Sequence, residues 1–272
     1  MARRKVLIKY GGNAMINENL KKQIANQIKI LQHQEIEVVL VHGGGPFINK
    51  ALNEAGIASE FFEGQRKTSK EALKVIERTL KGEVNSSLVS IFNQLGLNAI
   101  GLSGKDGQMV LADKKQHKAI DGQPSEIDLG QVGEVKAVNT KLLTLLLQEG
   151  YLPVITCIAS DDRGNDYNIN GDVFAGKIAA GLEADDYIVL TDVDGLYLNY
   201  PDAASIIPQL SLQELPSYYQ SVIVGGMIPK IESCEAAVRE GVTRAVILNG
   251  TKPEQIGDYI LKNQNIGTTL KK

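Results

Sequence analysis

Three stretches of the chain place glycines where an anion could be held. They are Lys9-Tyr10-Gly11-Gly12, His42-Gly43-Gly44-Gly45-Pro46 and Ser103-Gly104-Lys105-Asp106-Gly107. Each follows a short apolar run, so each sits where a strand ends. Glycine admits positive φ and lets backbone N–H groups approach a ligand closely. A glycine run that opens into a helix suits a phosphate or a carboxylate. One such loop reads as a tight turn; two in adjacent βα units read as an anion site. Lys9 ends the first strand beside glycines and is expected to point into a ligand crevice. Lys230 follows Gly225-Gly226 at the start of a helix, where a solvated first-turn lysine is an equal competitor. Asp172 begins a helix after Asn170-Gly171, and on its own it reads as an ordinary first-turn acid. Arg66 has the fork that clamps a carboxylate, with an exposed charge as the bland alternative.

Familiar nucleotide fingerprints are missing. No complete G-x-x-x-x-G-K-[ST] occurs; the nearest approach, Gly171 to Gly176-Lys177, fails at Ile178. No G-x-G-x-x-G follows a strand. His33 and His117 read as surface residues, and His42 as a structural hydrogen-bonding residue at the end of a buried strand. No Ser-His-Asp set or nucleophile elbow is visible.

The elements that must carry these residues follow from hydrophobic period. Short β-branched runs at 6–9, 38–42, 99–102, 152–156, 187–191 and 245–248 read as strands. Helical spacing marks 18–34, 45–56, 141–149, 172–182, 228–240 and 253–262, and a long region over 69–95 that breaks near Gly82. Residues 108–138 read as hairpins on the sheet edge. Strands alternating with helices predict an α/β fold: a three-layer αβα sandwich whose mainly parallel central sheet is shared by two lobes. The division is expected at 1–175 and 176–272. Ligands of such sheets bind beyond the carboxyl ends of the strands, where the glycine loops lie.

Composition narrows the classes further. Net charge is −3 with 22% charged residues, so no basic field points to nucleic acid. Cys157 and Cys234 form no C-x-x-C pair, and three histidines write no zinc signature, so no metal ligands are assigned. Both cysteines read as buried small residues in a reducing compartment. The basic start, Arg3-Arg4-Lys5, leads into a strand rather than a signal core, and no run reaches the ~20 apolar residues of a membrane span. A cytoplasmic protein is expected.

In order along nearly the whole chain come Ile8-Lys9-Tyr10-Gly11-Gly12, Val41-His42-Gly43-Gly44-Gly45-Pro46, Gly64-Gln65-Arg66-Lys67-Thr68, Gly101 to Gly107, Gly130 to Val135, Tyr167 to Asp172, Thr191-Asp192-Val193-Asp194-Gly195 and Gly225 to Lys230. This set resembles the amino-acid kinase family, and within it the branch that phosphorylates acylated glutamate. The resemblance implies γ-phosphoryl transfer from ATP, with Mg²⁺, to the side-chain carboxylate of N-acetyl-L-glutamate in arginine biosynthesis. By position, Lys9 and Lys230 match two lysines that stabilise the transferring group, and Asp172 the acid that orients them. Gly44, Gly45, Arg66 and Asn168 match acceptor-binding positions. Gly11, Gly12, Asp192, Gly195 and Lys230 match the nucleotide side. Tyr10 stands where an aliphatic residue is usual, Gln65-Arg66-Lys67-Thr68 replaces Leu-Arg-Val-Thr, and Gly171-Asp172 replaces Ala-Asp. Few residues precede the first strand, so an arginine-insensitive homodimer joined partly through 69–95 is expected rather than a hexamer. The competing readings are a kinase for an aminoadipate derivative, glutamate, carbamate or UMP, and a non-catalytic sensor on the same fold. A sensor is expected to have lost Lys9, Asp172 or Lys230, and this chain keeps all three.

Overall fold

The protein was analysed as a computed structural model that describes residues 3–62, 65–116, 127–219 and 221–272. The first strand, β1 (Lys5–Tyr10), leads through α1 (Glu18–His33) to β2 (Glu37–His42). The glycine run then opens into α2 (Gly45–Glu54), followed by the short antiparallel pair β3 (Phe61–Phe62) and β4 (Gln65–Arg66). Next come α3 (Lys70–Glu77), a π-helical segment Arg78–Asn85, and α4 (Ser86–Gln94). Then follow β5 (Ala99–Ser103), β6 (Val110–Lys114), β7 (Val132–Val138), α5 (Lys141–Gln148), β8 (Leu152–Thr156), β9 (Ile158–Ser160) and β10 (Asp166–Ile169). The last part of the chain supplies α6 (Gly171–Gly181), β11 (Asp186–Thr191), β12 (Gln209–Ser211), α7 (Ile228–Arg239), β13 (Arg244–Asn249), α8 (Glu254–Lys262) and β14 (Thr268–Lys271).

Eight strands form one sheet in the order β12-β14-β13-β11-β1-β2-β8-β5. All neighbours run parallel except β13 and β14. The apolar runs are continuous because both faces are covered. Alternation along β1, β2 and β11 divides them. Leu7, Val39, Val41, Tyr187 and Val189 face a core shared with Ile48, Ile76, Phe174, Ile178 and Ile231. Val6, Ile8, Val38, Leu40 and Ile188 face another, shared with Ile24, Ile28, Leu88, Phe92 and Ile256. Three layers result, as the sequence pattern predicts.

This parity matters for the site. Lys9 is the penultimate residue of β1 and shares a face with Leu7, so its side chain rises on the side of α6 and α7. Helix α1 starts where Asn17 accepts from the N–H groups of Asn19 and Leu20, at 2.9 and 3.2 Å. Ser69 caps α3 in the same way, accepting from Ala72 N–H at 3.1 Å.

Several expectations need correction. The strands read as edge hairpins do pair antiparallel, β6 with β7, but away from the main sheet. They close with β9 and β10 into a four-stranded ring, β10-β7-β6-β9. Each strand of the ring has a partner on both sides, β6 and β9 meeting at Leu111 and Ser160, and the pairing of β6 with β7 shifts register between Leu111 and Ala112. The helical region over 69–95 does not break at Gly82; it continues in π geometry. Strand β14 was not anticipated; its pattern is too short to register alone. The division expected at 175/176 is not one of these: it lies on α6, which runs from one expected part of the chain into the other. His117 lies outside the described residues.

Candidate active site

Beyond the carboxyl ends of β1 and β2 lies an open cleft with a cavity of about 220 Å³. Its walls include Lys9, Gly11, Gly12, the loop Gly43–Gly45, Arg66, Asn168 and Asp172. Glycine loops at adjacent parallel strand ends meet here because β1 and β2 are in register, with Lys9 opposite Val41 and Tyr10 opposite His42.

Lys9 and Asp172 are 7% and 5% exposed, so neither charge is solvated as a surface charge would be. Lys9 Nζ lies 2.8 Å from Asp172 Oδ1, and Lys230 Nζ lies 3.7 Å from Asp172 Oδ2. The first contact is a close ion pair rather than an aligned hydrogen bond. Burial pushes the Asp172 carboxyl up, but the charges of Lys9 and Lys230 outweigh it and hold the group below the usual carboxylate range. Two ammonium groups thus share a single ionised acid, leaving a net positive charge at the cleft.

Neighbouring residues position Asp172 from both ends. Asn170 caps α6 by accepting from the N–H groups of Asp172 and Val173, at 2.9 and 3.2 Å. The fully buried Tyr187 donates its hydroxyl to the Asp172 carbonyl at 3.0 Å. Lys230 stands in the first turn of α7 and donates to the Gly226 carbonyl at 3.1 Å. Helix α7 comes close to α6 at Gly176, where a Cβ would stand 2.8 Å from the Ser233 carbonyl oxygen. Sequence reading passed over Gly176 except as a failed P-loop position; its packing role has no local signature.

Gly11 lies beside Lys9, with an added Cβ only 2.6 Å from Nζ. Gly12 has φ 72 and lies against Asp192, whose Oδ1 would be 2.7 Å from a Cβ there. Tyr10 accounts for its unusual place in the motif: its buried hydroxyl donates to the Ala14 carbonyl at 2.7 Å and ties back the loop that carries Gly11 and Gly12. At position 171 a Cβ would meet Lys9, Cys157 and Gly43 at 3.7–3.8 Å, ordinary contact, so the glycine adds room rather than relieving a clash.

Arg66 is nearly buried. It donates to Ser59 Oγ and, at 2.6 Å, to Asn49 Oδ1, and stacks on Phe61 at 4.5 Å. Among the described residues it meets no carboxylate, so its positive charge is uncompensated at the cleft wall. Asn168 lies across from it, Nδ2 3.5 Å from Thr68 Oγ1. Gly195 is not in this cleft; it packs against Thr268, whose hydroxyl accepts from the Leu196 N–H at 2.8 Å. Asp194, next to it, accepts from Lys252 at 2.7 Å and Asn249 at 2.9 Å. Both cysteines are buried and free, and burial pushes the Cys157 thiol up to about 11, so it is no thiolate at neutral pH. Among the described residues no group of three or more His, Cys, Asp or Glu is placed to hold a metal ion. No helix among them is long and apolar enough to cross a membrane.

A mainly parallel α/β sheet with glycine loops and two lysines at its carboxyl edge is an arrangement able to receive an anion without a P-loop. The chain belongs to the amino acid kinase family, whose signature matches residues 4–249. An acetylglutamate kinase of Methanococcus maripaludis is 42% identical over 98% of this chain and 91% of its own length. Among solved structures, smu.665 of Streptococcus mutans superposes with a TM-score of 0.79 at 27% identity, covering 98% of both chains. An N-acetylglutamate synthase of Neisseria gonorrhoeae shares the fold, with a TM-score of 0.83 at 23% identity; this chain covers 59% of that longer protein.

Proposed function

We infer that this protein transfers the γ-phosphoryl group of ATP to the side-chain carboxylate of N-acetyl-L-glutamate, giving an acyl phosphate for arginine biosynthesis. The observation that carries this is the convergence of Lys9 and Lys230 on Asp172 beside the glycine loops, in a chain closely similar to acetylglutamate kinases over almost its whole length.

The acceptor carboxylate is already ionised near neutral pH, so no general base is required. A carboxylate oxygen forms a bond to the γ-phosphorus, the bond to the β–γ bridging oxygen breaks, and ADP leaves with that electron pair. The obstacle is repulsion between two anions, and charge and positioning overcome it. Lys9 and Lys230 supply positive charge, Asp172 sets where those charges lie, and the amides of Gly11, Gly44 and Gly45 donate to phosphoryl oxygens. Arg66 and Asn168 hold the acceptor's α-carboxylate end. Gly12, Asp192, Gly195 and Lys230 serve the nucleotide. Among the described residues no cluster of three or more His, Cys, Asp or Glu could cage an ion, so Mg²⁺ would be carried by the nucleotide's phosphates, where it would neutralise phosphate charge. In this reading residues 1–175 bind the acceptor and 176–272 the nucleotide, and the protein works as a cytoplasmic homodimer.

The test is hydroxylamine trapping. With MgATP, N-acetyl-L-glutamate should yield a hydroxamate, and glutamate, carbamate, UMP and aminoadipate derivatives far less. No hydroxamate from N-acetyl-L-glutamate, or a better acceptor in that panel, refutes the assignment.

A further inference from the structure

We propose that His42 and Asn85 form a positioning pair that aims the Gly44 amide at the transferring phosphoryl group. The proposal rests on the kinase reading above and adds two residues to it, neither of which lines the cleft.

His42 is wholly buried at the end of β2. Its Nδ1 lies 2.8 Å from the Gly43 carbonyl oxygen, and its Nε2 lies 2.9 Å from Asn85 Nδ2. Asn85 Nδ2 also donates to the Val154 carbonyl at 2.9 Å. That carbonyl accepts only, which fixes the amide orientation, and the two N–H bonds of the amide are then both used. His42 Nε2 must therefore accept, which places the ring proton on Nδ1, where it donates to Gly43. A single neutral tautomer satisfies every partner. Burial, aided by the nearby Lys81, lowers the imidazole to about 4 against a weaker opposing pull from the Gly43 bond, so the ring stays neutral at working pH.

The consequence runs through the peptide plane. In a trans peptide the carbonyl and the following N–H point opposite ways. A Gly43 carbonyl held back by His42 turns the Gly44 N–H away from the imidazole, on the loop that lines the cleft. Among the described residues no protein acceptor takes that N–H. Gly44 has no side chain to hold its orientation, so the restraint must come from behind.

Asn85 reaches His42 because it closes the π-helical segment Arg78–Asn85. Such wide turns are uncommon in helices and recur at functional sites. The same segment sets Leu80 against the loop, its Cδ2 2.6 Å from where a Gly44 Cβ would stand. The π segment therefore presses on the glycine loop at two points, one polar and one apolar.

Hydroxamate kinetics on the full chain test this. His42→Leu and Asn85→Leu should each lower kcat about 10–100-fold, with KM for both substrates within about threefold, since a misaimed donor is felt in the transition state. His42→Asn, whose amide can stand in for Nδ1 toward Gly43, should keep kcat within about fivefold of wild type. Asn85→Leu added to His42→Asn should cost little more, because the pair is already absent. A folded His42→Leu or Asn85→Leu enzyme with wild-type kcat overturns the proposal. So does a His42→Asn enzyme as damaged as His42→Leu, or full additivity in the double variant. If the leucine variants do not fold, His42→Gln replaces them: its amide lies toward Nε2 and cannot serve Gly43, so it should be much slower than His42→Asn, and equal rates overturn the proposal. A wild-type protein that forms no hydroxamate instead sinks the kinase reading, and this role with it.

Discussion

Lys9, Lys230 and Asp172 work as a unit whose geometry is set by the acid. Removing either lysine leaves Asp172 with one partner and strips one positive charge from the phosphoryl group. Lys9→Ala and Lys230→Ala should each lower kcat by roughly 10²–10³, the scale for losing one charged or oxyanion donor. Arg66 sits elsewhere on the cleft wall, held by Ser59, Asn49 and Phe61, and among the described residues no hydrogen bond or ion pair joins it to the lysines. Arg66→Ala should mainly raise KM for the acceptor. Steady-state kinetics separate the roles; a kcat defect for Arg66 with an unchanged KM reverses the assignment. The types and loop positions of these residues were legible in the sequence. Their partners were not: Ser59 and Asn49 carry no motif, and Tyr187 reads as one more buried strand residue.

At the scale of elements, the crossing of α6 and α7 decides whether Lys230 reaches the site. Gly176 is a point of close approach, and the nearest atom facing it is the Ser233 backbone carbonyl oxygen, which cannot swing aside. Gly176→Val should push α7 outward, draw Lys230 away from Asp172, cost about 1–3 kcal/mol in stability and lower kcat at least tenfold. Gly82 is the control: a Cβ there meets nothing within 4 Å, so Gly82→Ala should leave activity and melting temperature near wild type. Equal effects of the two substitutions, by thermal melts and kinetics, refute the packing argument. Helical period located α6 and α7 well. It could not show the π turn over Arg78–Asn85, because a glycine in a helical pattern signals a break as readily as a widened turn.

For the whole molecule, buried charge and buried neutrality couple the site to global stability. The folded chain holds His42 near 4, whereas the unfolded chain takes up a proton near 6.5. Between those values the unfolded state binds more protons, so stability falls as pH falls through this window. At ~1.4 kcal/mol per pH unit, the loss attributable to His42 is about 3 kcal/mol. Asp172 acts with the same sign lower down: its folded value is depressed, so its contribution is present above the unfolded carboxylate value and is lost as pH falls through the folded one. Urea unfolding from pH 7 to 4 should show this decline, and His42→Asn should flatten it relative to wild type. A slope unchanged by His42→Asn means the imidazole is not held neutral.

The amino-acid sequence alone determined the alternation of strand and helix, the three layers, the glycine loops at strand ends and the residue types an anion site needs. These are readable because they depend on local period and on conformations only glycine adopts. Only the tertiary structure decided that Lys9 and Lys230 share one carboxylate, that β6, β7, β9 and β10 close into a ring, that β14 completes the sheet and that His42 takes one tautomer. Those outcomes depend on contacts between segments far apart in the chain. Such contacts form only when the layers pack, and no local window of residues encodes them.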